Sequence, residues 1–411
     1  MNTTTSKYGI LSLTVLLASF LLMGGIDLSE KKRFQQGTMR YDGTYSLYIT
    51  VDDSMQFNWI TGIPTNGTYV LSEVDGRVLK SGKTENGRVH QFVFESRPKR
   101  ALQLEFGGEE TGTETVRLRP DFDHPKSIYR KVDSIYVAGD VHGNYDHLVN
   151  LLRKSGLVDS DLNWIGGAAH LVFIGDLFDR GDDVTKVLWL IHKLEPQAEW
   201  AGGKIHVLLG NHEIMTMTND LRYIGRKEKS LSIAFKVGYD LMFHPKKSYL
   251  GSWLSHKPSV IRIDDVLFAH GGVADLGTSV IQDFNEQAYY FIHEDNIFLE
   301  TSKMHADSTS YDPEEWLRQK RFFFSDMSPY WYRGYVTADT LENQLDDMLK
   351  RYKSKLHVVG HTSLDTITQR YNGKLITTDL KEKATELLFL ERKGKEYNRF
   401  RIDSLGQMTE L

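Results

Sequence analysis

The chain has 411 residues and no cysteine. Without cysteine it can form no disulfide framework, carry no lipoprotein anchor and use no thiolate as a nucleophile, although this absence leaves the redox compartment undecided. It also lacks an excess of positive charge, because 50 basic residues stand against 55 acidic ones and the formal net charge is −5. A broad basic surface for nucleic acid is therefore excluded. The hydrophobic content of 40% and the charged content of 26% are ordinary for a globular protein.

Five short motifs carry the residue types of a metal centre. Each follows a short apolar run of strand type and supplies Asp, Asn or His where that strand would end. Because the carboxyl ends of strands in an α/β sheet open on one crevice, these side chains are expected to meet there. The motifs are GDVHG at Gly139–Gly143, GDLFDRG at Gly175–Gly181, GNHE at Gly210–Glu213, AHGGV at Ala269–Val273 and VGHTS at Val359–Ser363.

The six candidate ligands suit a pair of divalent metal ions. Two ions about 3.5–4 Å apart need a ligand in common, and the carboxylate of Asp176 is the natural bridge. Mixed imidazole, carboxylate and amide ligands favour Mn, Fe or Zn. A hydroxide held between the ions would be the nucleophile, since metal binding lowers the pKa of water to about 7. The remaining ligands are assigned as Asp140 and His142 on one ion, and as Asn211, His270 and His361 on the other.

These motifs resemble those of the calcineurin-like metallophosphoesterases, and within them the phosphoprotein phosphatase branch. GDVHG, GDLFDRG and GNHE are intact, and the last motif reads GHTS. Ser363 thus stands where many other metallophosphoesterases carry a second histidine, which leaves one ion with three protein ligands. The chain is also similar to the Shewanella-like phosphatases in GNHEIMTM, LGSWLSHKP and SPYWYRGY. The resemblance covers Ile135–Leu390 and implies an α/β fold, a metallophosphoesterase β-sandwich core flanked by helices.

The resemblance also implies roles for residues beyond the ligands. His212 would be the general acid that protonates the leaving oxygen, and Asp179 would orient it, because such a pair fixes the tautomer of the imidazole. Arg180 and Arg333 would hold the phosphate together with Asn211, since guanidinium groups bind phosphate oxygens in pairs. Arg333 stands in the aromatic run FFSDMSPYWYRGY, which equally suits a core or a groove wall.

The predicted activity is hydrolysis of phosphomonoesters, on phosphoproteins at Ser/Thr or Tyr, by direct attack of metal-bound hydroxide. The expected partner is a phosphorylated protein or a small phosphoester, and no nucleic acid. A nucleotide or dinucleotide polyphosphate hydrolase would use the same metals under a different cap. A phosphodiesterase is disfavoured by the missing second histidine. A binding protein with an inactive metal site is disfavoured because every expected ligand is present.

The N-terminus carries a second signal. Gly9–Ile26 is an uncharged, largely apolar stretch with Lys7 before it. Its length falls between a signal-peptide core of about 7–15 residues and a membrane span of about 17–25. Residues 1–26 are therefore interpreted as a signal peptide or membrane anchor, with a buried helix as the alternative. This predicts an extracytoplasmic enzyme, periplasmic, secreted or anchored, although Lys31–Arg33 weaken the charge signal for orientation.

Residues 40–118 are rich in strand patterns. About seven short runs alternate apolar and polar residues, with Asn-Gly, Asp-Gly and Gly-Gly turn signals between them. The pattern predicts a small N-terminal all-β domain, an immunoglobulin- or fibronectin-like sandwich with Trp59 in its core, which would serve as a spacer or docking module. Arg119–Lys131, which contains two prolines, is the expected linker.

Residues 132–405 are predicted to form the metallophosphoesterase domain. Strand patterns alternate with helices expected near Tyr145–Ser155 and Val184–Leu194, which indicates βαβ units. A long excursion separates His270 from His361 and contains a helical pattern after Thr340. This excursion is expected to form a helical cap insert around residues 274–355 that carries Arg333 and selects the substrate.

Overall fold

The structure, a computed structural model, describes residues 47–411 apart from 98, 125 and 299–311. The predicted signal peptide or anchor at residues 1–26 lies outside the described residues, as does the start of the β-rich segment. Among the residues that are described, no helix is both long enough and apolar enough to cross a membrane.

A five-stranded antiparallel sheet occupies residues 47–118. The seven predicted runs merge into five strands, because β2 and β3 continue through the Asn-Gly signals at Asn66 and Asn86 with shifts of register. Strand β2 pairs with β1, β3 and β4, and β4 pairs with β5. The strands are β1 (Leu47–Val51), β2 (Met55–Glu73), β3 (Val78–Phe94), β4 (Leu102–Gly108) and β5 (Gly112–Leu118).

This sheet is not confirmed as a separate immunoglobulin- or fibronectin-like domain, because its described strands form one sheet rather than two facing sheets. Trp59 is fully buried, as predicted, and its indole donates to the carbonyl of Gly107 at 2.9 Å. The apolar residues of the sheet belong to the same hydrophobic cluster as later residues such as Leu148, Trp189 and Tyr249. The indole of Trp189 donates to the carbonyl of Leu47 at 2.8 Å. Strand β1 of this sheet is therefore packed against the catalytic part.

Two six-stranded sheets form the centre of the remaining chain. In the first, β7 lies between β8, with which it runs parallel, and β15, with which it runs antiparallel. Its strands are, in spatial order, β17 (Met408–Glu410), β16 (Glu396–Asp403), β15 (Glu386–Lys393), β7 (Ser134–Ala138), β8 (His170–Phe173) and β9 (Lys204–Val207). Those of the second are β13 (Thr368–Arg370), β14 (Leu375–Thr377), β12 (Leu356–Val359), β11 (Val266–Ala269), β10 (Val260–Ile263) and β6 (Ile128–Tyr129).

A common hydrophobic cluster joins the two sheets and makes them a sandwich. Val137 and Val172 contribute from the first sheet, Leu208 contributes from directly after β9, and Phe268 and Val358 contribute from the second sheet. All five predicted strand runs before the motifs are confirmed as β7, β8, β9, β11 and β12. The mixed α/β fold that the motifs predict is therefore present, and helices cover the outer faces.

The predicted helices are confirmed with small changes of length. The helix expected to end at Leu194 continues to Trp200, and the pattern after Thr340 forms a helix that begins at Glu342. The α-helices are α1 (Tyr145–Lys154), α2 (Val184–Trp200), α3 (Asn211–Met217), α4 (Arg226–Phe235), α5 (Tyr239–Met242), α6 (Tyr249–Ser255), α7 (Ile281–Tyr289), α8 (Pro313–Phe324), α9 (Gly334–Thr337) and α10 (Glu342–Arg351). A π-helix (Tyr290–Glu294) follows α7.

Candidate metal centre

The structure brings the five motifs together at the carboxyl ends of strands from both sheets. Strands β7, β8 and β9 of the first sheet and β11 and β12 of the second each end shortly before a predicted ligand. The six ligands are buried, and the most accessible of them, His361, is only 6% exposed. The six are Asp140, His142, Asp176, Asn211, His270 and His361.

Asp176 lies between two groups of donor atoms, as a bridging ligand would. Its Oδ2 is 3.6 Å from Nε2 of His142, and that nitrogen is 3.9 Å from Oδ2 of Asp140. Its Oδ1 is 3.2 Å from Nε2 of His270. Around Asp176, the groups His142–Asp176–His212 and Asp176–His270–His361 each bring their donor atoms within 4.8 Å of one another. Asp140 therefore belongs to the first group by its contact with His142.

The second group is equally close. Nε2 of His270 lies 3.0 Å from Oδ1 of Asn211 and 3.2 Å from Nδ1 of His361. Because Nδ1 of His270 can only donate to the carbonyl of Ile174, at 3.1 Å, its Nε2 presents a lone pair to these neighbours unless the ring is protonated. With the His270 ring neutral, three electron-rich atoms converge on one point, which is the arrangement that a cation stabilises.

An unsatisfied nitrogen atom supports this interpretation. Nδ1 of His142 donates to the carbonyl of Phe178 at 2.6 Å, which leaves Nε2 as an acceptor without a hydrogen-bond partner among the described residues. Buried polar atoms rarely remain unpaired, and an imidazole fixed through its other nitrogen is the usual form of a metal ligand. The residues therefore fit a pair of divalent metal ions.

The electrostatics of the site also favour a cation. Burial lowers the pKa of His142 to about 3, although Asp176 opposes the shift, and burial together with His270 lowers the pKa of His361 to about 2. Both rings are therefore neutral, as ligands must be. Burial also acts to lower the pKa of His270, but the charges of Asp176 and Asp140 outweigh it and raise the pKa to about 9. The two carboxylates thus favour the positively charged form of His270, and they would favour a bound cation for the same reason.

The backbone at the site is held in an uncommon conformation. Five non-glycine site residues have positive φ, between 45° and 68°. Such conformations cost roughly 1–3 kcal/mol each and persist only where the surrounding structure imposes them. Between strands β8 and β9, Gly175 at φ 106° has no room for a Cβ, which would lie 2.6 Å from the amide nitrogen of Gly210. The five are His142, Asp176, Asp179, Arg180 and His361.

Glu213 supports the site, although the sequence analysis gave it no role. Its fully buried carboxylate accepts the backbone N–H groups of Asp176 at 2.8 Å, Leu177 at 2.7 Å and Gly210 at 2.7 Å. It therefore ties the loop of the second motif to the start of helix α3. The signal was present in the sequence, because a glutamate three residues into a helix forms one half of a capping box.

His212 and Asp179 form the predicted pair. Nδ1 of His212 donates to Oδ2 of Asp179 at 2.6 Å, and both side chains are buried. Nε2 of His212 faces the site, 3.8 Å from Oδ2 of Asp176 and 3.2 Å from Nη2 of Arg180. The ring nitrogen that a general acid would use therefore points toward the candidate ligands and Arg180.

The two predicted arginines lie on the rim. Arg180 is exposed and contacts His212, as above. Arg333 is also exposed, and its Nη1 donates to the carbonyl of His361 at 2.7 Å. The predicted excursion thus brings Arg333 to the ligand set. The ring of Trp331 lies 5.7 Å from that of His361, so the aromatic run forms one wall of the site.

Tyr223 is a further rim residue that the sequence analysis did not single out. Its ring centroid is 5.5 Å from that of His212, and 49% of the residue is exposed. Its carbonyl accepts the backbone N–H of Arg180 at 2.9 Å. No motif marks this tyrosine, because it reaches the site through the fold of the loop between α3 and α4.

A buried carboxylate anchors helix α4 beside the second motif. Glu228 accepts the backbone N–H of Thr185 at 3.1 Å and its hydroxyl at 2.8 Å, at the start of helix α2. Burial raises the pKa of Glu228 to about 7, although the hydrogen bonds from Thr185 oppose the shift. Titration of this carboxyl therefore falls within the neutral pH range.

Residues 134–364 match the family model of the calcineurin-like phosphoesterases, which is more than half of the 411 residues. The chain belongs to this family. It is therefore a phosphoesterase hydrolase, as the fold and the donor set indicate, and the resemblance noted in the motifs is confirmed.

Several individual proteins to which the chain is similar are named as protein phosphatases. The chain is 26% identical to Shewanella-like protein phosphatase 1 of Plasmodium berghei, over 72% of this chain and 75% of that protein. It is 39% identical to Shewanella-like protein phosphatase 2 of Arabidopsis thaliana over 99 residues, which span only 25% of that protein. The solved cold-active protein-tyrosine phosphatase of a psychrophilic Shewanella species has a TM-score of 0.67 and 26% identity, over 91% of this chain and 100% of that one.

Proposed function

We propose that the protein is a dinuclear-metal-dependent phosphatase that hydrolyses phosphomonoesters of phosphoproteins. The observation that carries the proposal is the position of the His212–Asp179 pair, because Nε2 of His212 lies 3.8 Å from the carboxylate shared by both ligand groups. A proton donor at that distance from a two-metal site suits protonation of a leaving oxygen. The mixed ligands suit Mn, Fe or Zn, all of which bind imidazole.

The site residues have separate roles in the proposed reaction. When bound, the metal ions would neutralise the phosphate and activate the attacking water. Arg180 and Arg333 hold the phosphate oxygens from the rim, and Asn211 adds its amide group. Nε2 of His212 passes its proton to the leaving oxygen, while Asp179 stabilises the charged ring and keeps it in place. This arrangement needs no covalent phosphoenzyme.

Two observations support a phosphoprotein substrate. Two relatives that match over most of the chain are named as protein phosphatases. The exposed ring of Tyr223 beside His212 offers a stacking surface where the leaving group departs, which suits the aromatic ring of phosphotyrosine. A dinucleotide polyphosphate or a phosphodiester would use the same ligands, so substrate assays decide among them.

The N-terminal segments belong to the same proposal. Residues 1–26 are proposed to export the chain or to anchor it in the membrane, with the catalytic part outside the cytoplasm. The sheet formed by residues 47–118 is proposed to support the catalytic part, because strand β1 of this sheet is buried against the catalytic part. A role as a free spacer domain is less consistent with this burial.

The substrate class is tested with a panel of substrates assayed in Mn²⁺. It contains two peptides of the same sequence, one with phosphotyrosine and one with phosphoserine at the same position. It also contains diadenosine tetraphosphate and a phosphodiester. The proposal expects the highest kcat/KM on a phosphopeptide. Tyr223→Ala should lower kcat/KM for the phosphotyrosine peptide several-fold more than for the phosphoserine peptide.

The matched control is Tyr290→Ala, because Tyr290 is similarly exposed at 46% and the ring contact it makes is with Phe291. It should leave both peptides unaffected. Faster cleavage of diadenosine tetraphosphate than of every phosphopeptide would overturn the phosphoprotein proposal. Equal losses on both peptides with Tyr223→Ala would overturn the role of its ring.

A further inference from the structure

Three side chains outside the ligand set form a closed polar group near the metal centre. The hydroxyl of Ser363 donates to Oδ2 of Asp379 at 2.6 Å. Nζ of Lys383 donates to Oγ of Ser363 at 3.0 Å and forms a salt bridge with Oδ1 of Asp379. The Asp379 side chain is 2% exposed and that of Lys383 is 11% exposed. Burial of two opposite charges is costly unless each has close partners, and here each has them.

This group lies directly behind Asp140. The carbonyl oxygen of Thr378 would lie 2.0 Å from a Cβ placed on Gly139, so the backbone before Asp379 packs against the backbone before Asp140. The backbone nitrogen of Asp379 would lie 3.3 Å from the same Cβ, so Asp379 and Asp140 each follow this contact on neighbouring stretches of backbone. Both charges therefore act on the Asp140 side of the metal centre.

Ser363 occupies the position of the histidine that is absent from the last motif. Its hydroxyl donates to Asp379 and accepts from Lys383, so both of its usual hydrogen-bonding roles are in use. The side chain at this position is thus committed to the buried charge pair. The charges of Asp379 and Lys383 are therefore located next to the position where a further metal ligand would stand.

We propose that Asp379 and Lys383 are positioning residues that set the affinity of the metal ion on the Asp140 side in opposite directions. The negative charge of Asp379 attracts a divalent cation there, and the positive charge of Lys383 repels it. The pair acts through Asp140 and touches neither substrate nor leaving group. This inference rests on the metal centre of the proposed function.

The test compares Lys383→Met, Asp379→Asn and the double variant, all in the full chain. The dissociation constant for Mn²⁺ is measured by competition with a fluorescent chelator. The series is repeated with His361→Ala, which leaves only the Asp140, His142 and Asp176 set whole. Lys383→Met should bind the ion about tenfold more tightly and Asp379→Asn about tenfold more weakly. The double variant, which restores the net charge, should lie within about threefold of the parent.

The matched control is Lys381→Met, because Lys381 pairs with Asp365 on the surface and should leave Mn²⁺ affinity unchanged. Weaker binding in both single variants would mean that the pair only supports the fold, and it would overturn the inference. Unchanged binding in both would overturn it too. If Lys383→Met does not fold, the double variant and Asp379→Asn still give the comparison. Absence of Mn²⁺ binding in the parent protein would instead refute the proposed function.

Discussion

Replacing Glu228 by Gln should stabilise the protein at neutral and alkaline pH and change little in acid. The carboxyl has a pKa of about 7 in the folded protein, against 4.5 as its ordinary value. Between these values the folded state holds more protons than the unfolded state, so stability falls as pH rises through this range. A difference of about 2.5 pKa units corresponds to about 3 kcal/mol, fully developed above pH 7.

Gln keeps the carbonyl that accepts the N–H of Thr185, and its amide can donate to the hydroxyl, so the variant removes the charge without removing the contact. Urea unfolding of both proteins should differ by about 3 kcal/mol at pH 8 and by less than about 1 kcal/mol at pH 5. The control is Glu286→Gln, since Glu286 is exposed on helix α7. A difference that is the same at both pH values would refute the reasoning, because a lost or gained contact would not depend on protonation.

Three further predictions concern the metals, the acid and the N-terminus. Asp176→Asn should lower metal content and bring activity close to background, because it removes the carboxylate that both ligand groups share; elemental analysis measures this. His212→Asn should keep the metals but slow hydrolysis roughly 10²–10⁴-fold, with a smaller loss on p-nitrophenyl phosphate than on alkyl phosphates, since a good leaving group needs less protonation. Deletion of Met1–Ile26 should leave a soluble, active phosphatase, and protease added to spheroplasts should reach the catalytic part of the full-length protein.

Each of these has an outcome that would contradict it. Two bound ions in Asp176→Asn would refute the ligand assignment. An equal loss on alkyl and aryl phosphates would give His212 another role. Recovery of the full-length protein in the cytosol with its N-terminus intact would refute both export and anchoring, and residues 1–26 would then have to be interpreted as a core helix.

The sequence predicted the site best where a functional residue directly follows the strand that positions it. A ligand must follow its strand immediately, so an apolar run with Asp, Asn or His at its end predicted both the strand and the position of Asp140, Asp176 and His270. The His212–Asp179 pair was likewise predicted, from the resemblance of the motifs. These residues lie in motifs that are short and contiguous in the sequence.

What the sequence did not show depends on contacts between distant segments. Tyr223 reaches His212 because of a loop fold that no pattern marks. Asp379 and Lys383 lie beyond the last motif and meet Ser363 only through the sheet. The strands of residues 47–118 alternate as in a sandwich, yet strand β1 packs on helices that are distant in sequence. Periodicity shows that a face is buried, but it does not show what buries it.

Strand β7 bears on how the enzyme matures during synthesis. It leads into Asp140 and lies between β8 and β15, and β15 begins only at Glu386. While the ribosome is still making the chain, β7 has an unpaired edge, which invites association with other strands. Strand β7, which leads into the first ligand motif, therefore gains its second neighbouring strand only after Glu386–Lys393 has been made. We therefore expect the metal centre to be completed only after strand β15 has been made.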